Sequence, residues 1–113
     1  YIPGGKLRTQ SGSVMGSDAA NFIRSFTLDQ CFCGTSAVNL SKGICHPNIE
    51  EVEGNRAMIA ASRKKYIVSD SSKMNQTAPF KMFDIDCVDG FIVDNNFPPE
   101  YREYMELHGI EVI

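Results

Sequence analysis

Cys31-Phe32-Cys33-Gly34-Thr35-Ser36, then Asn48 to Lys65, then Tyr66-Ile67-Val68-Ser69-Asp70-Ser71-Ser72-Lys73: this succession decides the fold. The first run is apolar and stops at small residues, the pattern of a short buried strand. In the middle segment Asn48 suits a helix cap, and Glu51, three residues on, completes a capping-box-like pair. Ile49, Val52, Ile59 and Ala60 fall on one helical face, and Arg63-Lys64-Lys65 suit the negative end of a helix dipole. Gly54 weakens that helix locally. Tyr66 to Asp70 is then a second strand. A strand, a helix of about a dozen residues and a second strand imply a crossover connection between parallel neighbours.

The same alternation continues outward. Upstream, Ser17 is a possible cap, Asp18 an acid in the first turn, and Ala19, Phe22, Ile23 and Phe26 follow at helical spacing. Downstream, Cys87 to Val93 has the composition of a strand. Pro98-Pro99-Glu100 then opens a helix, since proline is tolerated in a first turn. Tyr101, Tyr104, Met105 and His108 are spaced i, i+3, i+4 and i+7, with Gly109 as a stop and Ile110 to Ile113 as a closing strand. The expected class is α/β: a mainly parallel sheet with helices on both faces.

The chain has 113 residues, which suits a single domain. Eleven basic against fourteen acidic residues give a formal charge of −3, and the pI is near 5.3. That balance argues against direct contact with nucleic acid by these residues. At 42% hydrophobic and 22% charged, the composition is globular. No apolar run approaches the ~18 residues of a membrane span. Tyr1 to Lys6 lacks the charged and apolar regions of a signal peptide, so a cytoplasmic location is expected. The first residue is Tyr, not Met, which fits a piece of something longer. The four cysteines lack paired zinc-ligand spacing and are expected to be reduced, packed as small hydrophobes.

Ligands of open parallel sheets bind at the carboxyl ends of the strands. Ser69-Asp70-Ser71-Ser72-Lys73 lies at one such end, with a carboxylate, hydroxyls and an ammonium together. Lys73 offers up to three donors to an anion, hydroxyls bind sugar or phosphate oxygens, and Asp70 orients the lysine or accepts from a ligand hydroxyl. An ordinary turn, with Asp and Ser satisfying local backbone groups, accounts for the same residues. Gly34-Thr35-Ser36 ends the other strand and Gly4-Gly5-Lys6 opens the chain; each allows close backbone approach to an anion, though Gly after a strand is usually a turn. Neither matches a Walker loop or a dinucleotide fingerprint. His46 sits in a Cys-His-Pro loop and His108 on an apolar stripe, where a packed core or boundary role is expected. Asp84, Asp86 and Asp89 lack the Gly and terminal Glu of a calcium loop and look like strand entry.

Taken in order, these residues resemble the C-terminal effector-sensing domain of the DeoR family of bacterial transcription regulators. The resemblance rests on Gly4-Gly5, Gly16, Asp29 to Ser36, Gly43, Glu51 with Arg56-Ala57-Met58-Ile59, Asp70-Ser71-Ser72-Lys73, the apolar run to Asp94, and Gly109 to Ile113. It implies a sugar-phosphate-isomerase-like (Rossmann-like) sensor that binds a phosphorylated sugar or related anionic metabolite. No catalytic role, metal or cofactor is implied, and a homo-oligomer is. Gly4, Gly5, Gly34, Thr35, Glu51, Asp70, Ser72 and Lys73 would line the effector pocket. Ala37 departs from a frequent Gly, and Gly54-Asn55 from the usual Val-Lys. The family's helix-turn-helix, through which operator DNA is bound, and its Asp-x-Gly-Thr-Thr phosphate motif would precede Tyr1. Residues 1–113 are then the C-terminal part of one sensor domain, incomplete at its N-terminus. Two other readings stay open: a sugar-phosphate isomerase with Glu51 or Asp70 as base, and an oligomerisation module with a vestigial pocket.

Overall fold

A computed structural model describes residues 1–113. In chain order the elements are β1 (Lys6–Arg8), β2 (Ser13–Met15), α1 (Ser17–Arg24), β3 (Leu28–Gly34), β4 (Ala37–Asn39), β5 (Gly43–His46), α2 (Ile49–Ala61), β6 (Ser62–Val68), β7 (Phe80–Phe83), β8 (Gly90–Ile92), α3 (Pro99–Leu107) and β9 (Glu111–Val112). Single 3-10 turns cover Ser71–Lys73 and Ile85–Cys87. The α/β class and the parallel sheet are as expected: β3, β6, β8 and β9 pair in that order, all parallel. Phe32 lies opposite Tyr66, Gly34 opposite Val68, and Val68 opposite Ile92, so three strands finish side by side.

Alternation along the strands sorts the side chains. Cys31, Cys33, Ile67 and Phe91 point into one core together with Val52 and Ile59 of α2 and Tyr101 and Met105 of α3. The other face carries Phe32, 53% exposed, and Val68, 45% exposed, with the Phe32 and Tyr66 rings stacked at 5.5 Å. Gly90 makes room for this stack, because an added Cβ would lie 3.0 Å from the Tyr66 ring. Within these residues α2 and α3 share the first core, and the second face is open.

Several local expectations are corrected. The Arg63-Lys64-Lys65 run is not a helix end: Ser62 takes extended dihedrals, and the basic residues belong to β6. The Ser62 hydroxyl donates to the Met58 carbonyl at 2.7 Å and its N–H to Ile59, which closes the helix at Ala61. Asn48 does cap α2, its side chain accepting from Glu50 N at 3.0 Å, but Glu51 turns away from the cap. Val52, Ala57 and Ile59 are the buried residues of α2, while Ile49 and Ala60 are exposed. Helix α1 starts from Gly16 at φ 94, with Ser17 already inside it. Cys87 is exposed in a 3-10 turn, and the strand expected over Cys87 to Val93 shortens to β8. His46 is buried at the end of β5, not in a loop. His108 is exposed, stacked on Tyr104 at 3.9 Å.

Two small antiparallel units were not anticipated. β1 and β2 form a hairpin, and β4, β5 and β7 form a separate sheet. Arg56 ties α2 to that sheet, donating from Nε to the Met82 carbonyl at 2.8 Å and from Nη2 to Lys81 at 2.7 Å. The β4–β5 turn closes on the Asn39 carboxamide oxygen, which accepts from Ser41 and Lys42, and Gly43 at φ 86 leaves no room for a Cβ beside Phe83 O. Cys31 and Cys33 are free and buried; burial pushes the Cys33 thiol up to about 12, with Cys31 beside it adding to the rise.

Candidate functional site

The parallel strands β3, β6 and β8 deliver three loops to one edge of the sheet. From β6 the chain passes through Ser69, whose N–H donates to Ile92 O at 3.0 Å, into the turn Asp70 to Lys73. Asp70 Oδ1 accepts from Ser72 N at 2.9 Å and from the Ser72 hydroxyl. From β8 comes Asp94, whose Oδ2 accepts from Ser71 N at 3.0 Å while Oδ1 takes the Ser71 hydroxyl and, at 3.0 Å, Asn96 N. From β3 come Thr35 and Ser36, whose backbone N–H groups donate to no protein atom. The turn is therefore also the ordinary Asx-type structure that the sequence allowed.

The chemistry open to this edge depends on which groups remain free. Lys73 is half-buried, yet its ammonium forms no hydrogen bond or ion pair, although two carboxylates belong to the same loop cluster. Each carboxylate already accepts from a serine N–H and a serine O–H group, Asp70 through Oδ1 alone. The Ser72 hydroxyl hydrogen bond is the largest influence holding Asp70 below its ordinary pKa, followed by the Ser72 N–H; Lys73 contributes less. Ser71 does the same for Asp94. Asp70 Oδ2 has no protein donor. The edge thus presents a free cation, free backbone donors that include Thr35 and Ser36 N–H, and one free carboxylate oxygen.

The turn is anchored beyond Lys73 as well. Met74 is buried and bridges to Val38, and Asn75 adopts φ 59. The buried Tyr101 hydroxyl accepts from Asn75 N at 2.9 Å and lies 3.2 Å from Val38 O and 3.1 Å from Asn75 Oδ1, either of which can take its proton. Asp94, Asn75 and Tyr101 were not expected at the site. Asp94 ends an apolar run in the sequence, a weak signal; its bond to Ser71 spans 23 residues and has no sequence signature.

The remaining expected site residues fall in a second cluster. Glu51, in the first turn of α2, accepts from Ser13 Oγ at 2.9 Å and pairs with Arg8 at 3.4 Å; its neighbour Glu50 pairs with Lys6 at 3.0 Å. Gly5 has φ 142, and a Cβ there would lie 2.6 Å from Met15 O, so the hairpin needs this glycine for its own packing. Gly4 and Gly34 face open space. Gly34 and Thr35 end the strand beside the one that leads to Asp70, Ser72 and Lys73; no hydrogen bond links that group to Gly4, Gly5 or Glu51. A cavity of about 560 Å³ lies beneath the hairpin, walled by Pro3, Val14, Phe22, Phe26 and Met58, with Glu50 and Glu51 at it.

Residues 1–95, which include both clusters, match the family model of the DeoR C terminal sensor domain. The chain belongs to the DeoR family. It is 34% identical over 99% of its length to a putative aga operon transcriptional repressor of Escherichia coli O157:H7, covering 42% of that protein. It is 30% identical over 98% of its length to the glycerol-3-phosphate regulon repressor of Escherichia coli K12, covering 44%. An HTH-type transcriptional regulator, GlpR, of Haloferax volcanii is 28% identical over 99% of the chain, which covers 44% of it. The chain spans less than half the length of these relatives. As a DeoR-type sensor domain, it has a regulatory role. No helix is long and apolar enough to cross a membrane.

Proposed function

We propose that this DeoR-type sensor reads a small hydroxylated anion, a phosphorylated sugar or polyol, at the carboxyl edge of β3, β6 and β8. The observation that carries this reading is the unpaired ammonium of Lys73 on the same short turn as the donor-free Asp70 Oδ2. An ammonium binds the anionic group, and a carboxylate oxygen accepts from a ligand hydroxyl, so the pair selects ligands carrying both. Gly34 leaves space and Thr35 and Ser36 offer N–H donors. Ser72, its proton engaged by Asp70, accepts from the ligand and does not donate. Glu51 acts from the hairpin side, where Ser13 and Arg8 hold it at the start of α2, and Gly4 and Gly5 lead into that hairpin. A relative named for glycerol 3-phosphate supports this chemical class.

Isomerase chemistry is less well served. A general base gains from a pKa raised towards neutrality, whereas Asp70 is exposed and shifted down. Glu51 is tied to Arg8 and Ser13. In this reading residues 1–113 form the C-terminal part of a sensor in a longer regulator whose DNA-binding domain supplies the operator contact. Parallel sheets are normally covered on both faces, so the open Phe32–Tyr66–Val68 face takes another layer of that longer protein.

The test is calorimetric titration of glycerol 3-phosphate, ribose 5-phosphate and inorganic phosphate into the full-length protein and its Lys73→Ala variant. Loss of a charge-assisted hydrogen bond predicts an affinity about ten- to a hundredfold weaker. Equal affinity in the variant overturns the reading.

A further inference from the structure

Lys73 can serve as an anion contact only if its turn is held in place and its charge is not already neutralised. The second is met, since Lys73 forms no ion pair; the first traces to a residue 21 positions downstream, Asp94. Its two oxygens accept three hydrogen bonds, two from Ser71 and one from Asn96 N. It therefore fixes the first residue of the Ser71–Lys73 turn to the end of β8, while Tyr101 and buried Met74 fix the chain just past Lys73.

We propose that Asp94 is a positioning residue for the effector site: by clamping Ser71 it sets the Lys73 ammonium for an anionic ligand. This rests on the reading that Lys73 binds the effector. Asp94 does not touch the ligand; it acts through the turn. Asp70 has the complementary part, because one of its oxygens stays open.

A double-mutant cycle in the full-length protein separates this from a merely structural role. Affinity for glycerol 3-phosphate and for inorganic phosphate is measured in the parent, Asp94→Ala, Lys73→Ala and the double variant, each with its melting temperature. Asp94→Ala is expected to weaken binding about tenfold in the parent, near the lower end for a charge-assisted contact, and less than about twofold once Lys73 is gone. Ser71→Ala, which removes only the hydroxyl arm of the clamp, gives a smaller loss of the same kind and remains informative if Asp94→Ala folds poorly. Equal losses in both backgrounds, or no loss from either Asp94→Ala or Ser71→Ala, overturns the inference. If Lys73→Ala itself leaves affinity unchanged, the site reading fails first. If Lys73→Ala weakens binding and the cycle shows no coupling, only the role of Asp94 fails.

Discussion

Two regions of this sensor are built from the same chemistry and end in opposite states. At the hairpin, Glu50 and Glu51 meet Lys6, Arg8 and Ser13, and each carboxylate has a cationic partner. At the strand edge, Asp70 and Asp94 meet Ser71 and Ser72, and the nearby cation is left without one. Because α2 leads back from β3 to its parallel neighbour β6, its first turn with Glu51 begins towards the end of the sheet where β3 finishes. Acid, hydroxyl and base in a short stretch therefore do not by themselves mark a binding site. In the proposed reading the difference lies in the cation, paired at the hairpin and unpaired at the edge.

Glycine substitutions give the largest contrast on the folding side. Gly5→Ala drives a Cβ towards Met15 O from a positive φ, and an overpacking cost of about 1–3 kcal/mol is expected. Gly34→Ala meets open space and should leave stability unchanged or raise it by up to about 1 kcal/mol, while weakening phosphosugar binding. Chemical denaturation of both variants with effector titration of the second checks this; a strongly destabilised Gly34→Ala would make the two glycines equivalent and break the comparison.

Glu51→Gln sharpens it further. The pair with Arg8 is partly exposed, with the Arg8 side chain 40% and the Glu51 side chain 17% accessible, so the expected stability loss is below about 1 kcal/mol. Phosphate affinity should stay within about twofold, well short of the tenfold that 1.4 kcal/mol represents. A Glu51→Gln variant that stays fully stable and no longer binds phosphosugar would move Glu51 into the ligand site.

The smallest expected effect is in pH. Asp70 and Asp94 titrate below the ordinary 3.8, chiefly through the Ser72 and Ser71 hydroxyls respectively. A carboxylate with a depressed folded pKa stabilises the fold above its unfolded value, and the contribution disappears as pH falls through the folded one. The order of the turn should therefore be complete above about pH 4 and fade only at lower pH. Amide resonances of Ser71 and Ser72 report it directly: midpoints below 3.8 are expected, and midpoints at or above it would show that the serines do not hold these carboxylates.

The sequence by itself determined the α/β class, the mainly parallel sheet and the place of the Asp70–Lys73 turn. These rest on local information: apolar runs, the Asn48 cap, Pro99 in the first turn of α3 and Gly109 at φ 68 after it each act within a few residues. Strands of three or four residues are too short to show a period, so the β1–β2 hairpin and the β4–β5–β7 sheet were invisible until Arg56 and the Asn39 turn could be seen holding them. Nor does composition say that Arg63-Lys64-Lys65 belongs to a strand, because the helix is ended by Ser62 folding back on Met58. Only the tertiary structure decided which charges are paired. Asp94 reaches Ser71 and Glu51 reaches Arg8 across 23 and 43 residues, bonds set by packing, while Lys73 enters no ion pair.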